Sequence, residues 1–272
     1  MAAPDWQLEL PLFAAGCTSV AGLDEAGRGA LAGPVVVGLV CLPPPLELRP
    51  HAAISHAAMS HAAISHAAMS HAVTSHDIDQ ISYDQIGYDQ TGYDQISYEA
   101  LCAELNDSKM LTESTRERLA VSIKQHALAW VTAQASAAEV DSHNVLAATH
   151  LAAKRSLAAL PISLDGLVTD YLKLDTLLAL LAPAKADSLS LQVAAASILA
   201  KTTRDALMRA AHKSYPHYGF VTNKGYGAKK HLQAINEHGI CPLHRRTFKP
   251  VAERLVAAEP LRHFQMDASE TS

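Results

Sequence analysis

Two adjacent acids, Asp24 and Glu25, break into a stretch that otherwise reads as the interior of a β-sheet. Thr18 to Leu23 are small or apolar, Val35 to Leu42 are strongly β-prone, and glycines crowd the segment between them. A charge in such a place is costly unless something neutralises it, and a bound cation is the usual neutraliser. The alternative is a hairpin turn whose acids are solvated. In either case a strand is expected to give way to glycines at these acids.

The 272 residues allow one large domain or two small ones, and they can bury a core without disulfides. Cys17, Cys41, Cys102 and Cys241 form no CxxC pair, which fits a reducing cytoplasm. The N-terminus has no basic start before an apolar run, and the uncharged stretches are broken by proline, serine and histidine, so neither a signal peptide nor a membrane span is expected. The net charge of -5 argues against an indiscriminate polyanion binder, yet the charge is unevenly spread. Residues 51–100 hold six acids and no Lys or Arg, whereas residues 201–254 hold eleven Lys or Arg against three acids. That basic third suits contact with a polyanion; a solvated helical surface is the alternative.

From His51 to about Glu99 the chain is built of five-residue units, first HAAIS and HAAMS, then variants of YDQIS. The histidines at 51, 56, 61, 66, 71 and 76 do not make a metal comb. In a helix a spacing of five turns successive residues by about 140°, and in a strand it alternates their faces. Too few units are present for a β-solenoid core. The segment is read as a low-complexity insertion, with Tyr83, Tyr88, Tyr93 and Tyr98 as contacts for no identifiable partner. Closure entropy grows only logarithmically with loop length, so the activity of the rest is expected to survive deletion of 51–98.

Outside the insertion, strands alternate with helices. Strands are expected at Val35–Leu42, Leu128–Gln134 and Leu164–Leu174, and helices at Thr112–His126, Ser142–Leu160 and Leu191–Ala211. The pattern predicts an α/β domain with helices on a mixed sheet, spanning residues 15–255, followed by a flexible tail at 256–272.

Two further acids stand in comparable settings. Asp170 lies within an apolar run, and Asp187 precedes an alanine-rich helix whose small side chains let it lie close to a sheet. Four carboxylates gathered at one place would suit hard divalent ions, two of which, roughly 4 Å apart, can stabilise the attacking and leaving oxygens of a phosphodiester. Acids near strand ends also serve as caps and turn formers, and spacing alone does not decide.

The ordered motifs GLDEAGRGALAGPVV (22–36), LNDSKML (105–111), TDYLKL (169–174), ADSLSLQVAAASILAKTTRD (186–205) and YPHYGFVTNKGYG (215–227) resemble ribonuclease HII, the prokaryotic type 2 ribonuclease H. The resemblance covers the chain except the repeats and the ends. It implies a ribonuclease H-like mixed sheet flanked by helices with a helical C-terminal extension. It also implies Mn²⁺- or Mg²⁺-dependent endonucleolytic cleavage of RNA in RNA–DNA hybrids and in DNA duplexes containing ribonucleotides. Asp24, Glu25, Asp170 and Asp187 match the family's metal-binding acids. Gly27, Arg28 and Gly29 match the tripeptide whose backbone reads the ribose 2′-hydroxyl. Ser108 and Lys109 match a phosphate-contacting segment, and Tyr226 a tyrosine that stacks on the deoxyribose following the ribonucleotide. The glycines permit close backbone approach and the lysine offers a cation to phosphate.

The resemblance has two departures. Many relatives carry Asp-Gly-Asn at the third acid, and Asp165-Gly166 offers a decoy for it; Asp170 is preferred because TDYLKL resembles a family variant and its distance to Asp187 fits. Ala186 stands where glycine usually precedes the fourth acid, which would strain the chain if that position needed a positive φ. Ribonuclease HIII is disfavoured because the first acid arrives at residue 24, and a non-catalytic hybrid binder because all four acids are present. A zinc site from His238, Cys241 and His244 competes with an ordinary turn. The chain is expected to act as a monomer without membrane contact, and its sequence names no protein partner.

Overall fold

The structure is a computed structural model and describes residues 3–45 and 95–255. The repeats up to residue 94, with their histidines and Tyr83, Tyr88 and Tyr93, lie outside the described residues, as does the tail from 256. In chain order the elements are α1 (Leu10–Ala14), β1 (Val20–Ala26), β2 (Val35–Cys41), α2 (Gln95–Glu104), α3 (Glu113–His126), β3 (Ala129–Ala135), α4 (Ala137–His143), α5 (Val145–Ala159), β4 (Gly166–Thr169), β5 (Ala179–Leu181), α6 (Leu191–Ser214), α7 (Phe220–Asn223) and α8 (Lys229–His238). Residues 249–255 are helical as well.

The sheet runs β3-β2-β1-β4-β5. Neighbours β1, β2 and β3 are antiparallel, while β4 pairs parallel to β1 and β5 parallel to β4. Alternation along the strands sends Ala21, Leu23, Val35, Val37 and Leu39 to one face, where they meet Ala148, Ala152 and Ala153 of α5. Gly22, Gly38 and Val40 point to the other face, against α6. There a Cβ on Gly22 would sit 2.2 Å from the carbonyl carbon of Gln192, and one on Gly38 would sit 2.3 Å from the carbonyl oxygen of Ala196. With only glycine opposite, and Ala194, Ala195 and Ala196 on the helix, α6 rests almost backbone to backbone on β1 and β2. Buried Gln192 fastens it there, donating to the Val20 carbonyl and accepting from the Leu42 N–H at 2.7 Å.

Several expected boundaries move for local reasons. The first strand does not yield at Asp24 but continues to Ala26, so both acids lie inside β1. The helix expected at Ser142–Leu160 is two helices, broken at Asn144 with φ +67, whose side-chain oxygen accepts from the N–H groups of Leu146 and Ala147 and caps α5. The strand expected at Leu164–Leu174 shrinks to Gly166–Thr169, because Tyr171 takes φ +59 and the chain turns, the Thr169 hydroxyl donating to the Leu172 carbonyl. The last repeat unit contributes to α2, where Tyr98 is buried and donates to the Pro43 carbonyl, so a deletion reaching 98 removes a packed side chain.

Residues ahead of the expected start at 15 pack into the same core. Asp5 bridges to Ser190, and Glu9 is fully buried against the start of α6, accepting from the Ser190 hydroxyl. Ser190 in turn caps α6 by accepting from the Val193 N–H at 3.0 Å. Burial raises the Glu9 carboxyl from 4.5 to about 7, against the lowering effect of the Ser190 hydrogen bond. The folded state therefore holds this proton more tightly than the unfolded chain, and the contribution of Glu9 to stability should be complete below pH 4.5 and be lost as pH rises through 7. At pH 8 the deprotonated acid should cost up to about 3 kcal/mol relative to pH 4. Glu9→Gln is expected to remove that part of the slope when unfolding free energy is measured by denaturant across this range.

Candidate active site

The strand ends place the acids. Parallel pairing sets Leu23 opposite Thr169, and the Asp170 N–H continues the ladder to the Leu23 carbonyl at 3.4 Å, so Asp170 follows β4 directly beside Asp24. Asp165 stands at the opposite end of β4, where its carboxylate accepts from the Thr18 and Ser19 N–H groups and ties down the entry to β1. The decoy is thus a turn-forming acid. Asp170 Oδ1 accepts from the Ala186 N–H at 3.0 Å, which anchors the short 3₁₀ turn Ala186–Ser188 carrying Asp187. The positive φ in this turn falls on Lys185, at +62, and Ala186 is not among the residues with positive φ, so alanine introduces no strain of that kind.

Each acid meets a different set of donors. Asp24, buried on the α6 face, accepts from the Glu25 N–H at 2.8 Å and is stabilised as an anion by the Ser197 hydroxyl. Glu25 pairs with Arg28 Nη1 at 3.0 Å, while its buried Oε2 has no hydrogen-bond partner. Asp187 accepts from Lys109 Nζ at 2.9 Å. Burial raises the proton affinity of Asp24, Glu25 and Asp170; the Glu25 charge adds to it at Asp24, Arg28 opposes it at Glu25, and the Ala186 N–H opposes it at Asp170. Burial lowers the Lys109 ammonium, but Asp187 more than compensates and leaves it raised.

An all-oxygen donor set, mutual repulsion between buried carboxylates and the orphaned Glu25 Oε2 together fit a hard divalent cation. As the side chains stand, no three His, Cys, Asp or Glu groups among the described residues converge on one ion, because Lys109, Arg28 and backbone N–H groups occupy the acids. The zinc alternative does not assemble among the described residues either: His244 Nδ1 accepts from the Cys241 N–H at 2.9 Å, and the His238 ring lies against His217.

Around the acids lie the other residues singled out by the sequence. Ser108 is buried and its hydroxyl lies 2.7 Å from that of Ser197, which links the NDSK segment through α6 to Asp24. Gly27 takes φ +94, and a Cβ there would lie 2.0 Å from Arg204 Nε; around Gly29 there is open space. Arg28 is part-exposed and turned to Glu25. Tyr226 is exposed, its ring 5.1 Å from the Arg204 guanidinium and 5.6 Å from Lys201 Nζ.

Two buried arginines that sequence reasoning passed over hold this surface together. Arg204 donates to the carbonyls of Pro34, Lys224 and Ala32, and Arg245 to those of Gly33 and Arg28. Burial lowers both guanidinium pKa values, Arg245 to about 9 with Arg204 adding to the effect. Their signal was present for Arg204, which stands on the buried stripe Ala200, Arg204, Met208, Ala211 of α6, where a charge needs a partner. Ser197 lies among similarly small neighbours and gave no such signal. A groove between α3, α6 and β3, lined by Val121, Lys124, Thr132 and Thr203, includes none of the four acids.

A family model described as ribonuclease HII matches residues 93–251. Ribonuclease HII of Thermus thermophilus is 42% identical over 246 residues, covering 90% of this chain and 93% of the relative. The chain belongs to the ribonuclease HII family. It is therefore a hydrolase of the ribonuclease H class, acting on RNA. Ribonuclease HII of Chloroflexus aurantiacus is 37% identical over 257 residues, covering 94% of this chain and 98% of the relative. In fold the chain is similar to ribonuclease H2 from Pyrococcus horikoshii OT3, with a TM-score of 0.59 and 21% identity over 88% of this chain and 98% of that one. Among the described residues no helix is long and apolar enough to cross a membrane.

Lys109 competes with any cation for Asp187. Replacing it with Met should tighten Mn²⁺ binding, measured by calorimetry, by roughly threefold to tenfold, the loss of one partly exposed charged contact. Weaker binding would show that Lys109 helps to build the cation site.

Proposed function

We propose that this chain hydrolyses the RNA strand of RNA–DNA hybrids and incises duplex DNA on the 5′ side of embedded ribonucleotides, leaving 3′-hydroxyl and 5′-phosphate ends. The observation that carries the reading is the register that sets Asp170 beside Asp24 while the Asp170 carboxylate holds the turn bearing Asp187. Asp24, Glu25, Asp170 and Asp187 would hold Mn²⁺ or Mg²⁺, in a two-metal arrangement. A bound divalent ion supplies a nucleophilic water at neutral pH and charge stabilisation for the oxygens of the scissile phosphate.

The chain's own residues do the selecting. Gly27, Arg28 and Gly29 offer a backbone braced by the Arg245 bond to the Arg28 carbonyl, with the Arg204 side chain packed against Gly27, suited to contact with a ribose 2′-hydroxyl. The exposed Tyr226 ring gives a flat apolar surface for a sugar. Lys109, exposed and reaching Asp187, suits a backbone phosphate, and Ser108, buried against Ser197, would hold the segment that carries it. Residues 15–255 form the catalytic unit in this reading, with the free cysteines in keeping with a reducing compartment.

The test is incision of a DNA duplex containing one ribonucleotide, in Mg²⁺ or Mn²⁺. Asp24→Asn is expected to lose roughly a thousandfold or more in rate while remaining folded. Tyr226→Ala should lower kcat/KM by roughly tenfold to a hundredfold and leave metal affinity unchanged. A folded wild-type protein that binds the duplex without incising it would leave a non-catalytic binder instead.

A further inference from the structure

Two buried imidazoles lie behind Tyr226 and take no part in the chemistry described above. His231 Nδ1 lies 2.8 Å from the Tyr226 carbonyl oxygen, His231 Nε2 lies 3.1 Å from His244 Nε2, and the Cys241 N–H donates to His244 Nδ1 at 2.9 Å. Only one set of neutral tautomers satisfies all three; it gives up the longer approach of His244 Nδ1 to the Cys241 carbonyl oxygen, at 3.3 Å, for the shorter bond from the Cys241 N–H. The Tyr226 oxygen can only accept, so His231 must carry its proton on Nδ1 and present Nε2 as an acceptor. His244 must then donate from Nε2, and its Nδ1 is free to accept from Cys241. Burial lowers both imidazoles, His244 to about 4 with His231 adding to the effect, so both are neutral at neutral pH.

Aromatic rings fix the pair in place. Tyr218 meets His244 edge-on at 4.7 Å, and Phe220 meets His231 edge-on at 5.4 Å. What the pair holds is a short exposed loop between α7 and α8. Helix α8 begins without a side-chain cap, and the Tyr226 carbonyl accepts from both the Ala228 N–H and His231. On the other side of the loop, the Gly225 carbonyl accepts from the Leu31 and Ala32 N–H groups, and a Cβ on Gly225 would sit 2.3 Å from the Ala32 oxygen. The Tyr226 ring stands partly exposed beside the Arg204 guanidinium and Lys201 Nζ, and its backbone sets where the side chain leaves the loop.

We propose that His244 and His231 form a positioning relay that fixes the Tyr226 backbone, and with it the ring that meets the substrate sugar. The proposal rests on the substrate-facing reading of Tyr226 given above. His231 is a positioning residue, acting through Tyr226.

The test combines a double-mutant cycle with a rescue. His231→Leu removes the donor to Tyr226, whereas His231→Asn keeps an N–H where Nδ1 stood. On a duplex with one ribonucleotide, His231→Leu is expected to lower kcat/KM by about tenfold, the loss of one hydrogen bond to a positioned group. His231→Asn is expected to recover most of it. In a Tyr226→Ala background His231→Leu should cost nothing further, because the ring it positions is gone. Equal losses for Leu and Asn, or full additivity with Tyr226→Ala, would overturn the proposal.

If Tyr226→Ala leaves incision unchanged, the substrate role of Tyr226 fails, and the relay is then judged alone by ¹⁵N spectra of the histidines in the wild-type protein. These should show His231 protonated on Nδ1 and His244 on Nε2; the reverse pair would overturn the relay itself. The same spectra decide the matter if His231→Leu does not fold.

Discussion

The near contact of α6 with β1 and β2 at Gly22 and Gly38 is the constraint on which the rest of the structure depends. It brings the helix close enough for Ser197 to reach Asp24, and it delivers the turn before the helix, with Asp187, to the ends of β1 and β4. A side chain at either glycine would have to displace helix backbone rather than a flexible side chain, and the acids would part with it. The alanines of α6 and the glycines of the sheet are therefore one feature, seen from its two sides.

The two halves of the site are held by opposite charge logic. At the strand ends, buried carboxylates lie close together with donors too few to satisfy all their oxygens, an arrangement that a divalent cation would relieve. Beneath the glycine loop, two buried guanidiniums are spent on backbone carbonyls, which fixes the shape of residues 28–34 and of the 224–226 loop without presenting charge to a ligand. One half is poised to bind, and the other is braced. Lys224, Glu113 and Arg209 extend the bracing across to α3 through surface ion pairs.

Much of this was legible in the sequence where one residue type has one physical use. Adjacent acids beside glycines marked the candidate site, and the β-prone run after them marked β2. The alanine run before Lys201 marked a helix that could lie close to a sheet. The element boundaries were less legible, because Asn144 and Tyr171 break their segments by adopting positive φ, which single residues other than glycine signal poorly. Asp165 and Asp170 looked alike along the chain and differ only in which end of β4 they occupy. Ser197 and His231 could not be found from spacing, and His244 stood out only as a zinc candidate, since each acquires its place from a partner on another element.

The central claim is that Asp24, Glu25, Asp170 and Asp187 act as one cation-binding centre, though no two of them but Asp24 and Glu25 are neighbours in sequence. The most direct measurement is Mn²⁺ binding by calorimetry or electron paramagnetic resonance, on the wild-type chain and on Asp170→Asn and Asp187→Asn. The account predicts that either substitution weakens the same binding event by roughly tenfold or more, with the fold retained by circular dichroism. Mn²⁺ affinity unchanged in both variants would contradict it and would leave the arrangement of acids without the function assigned to it.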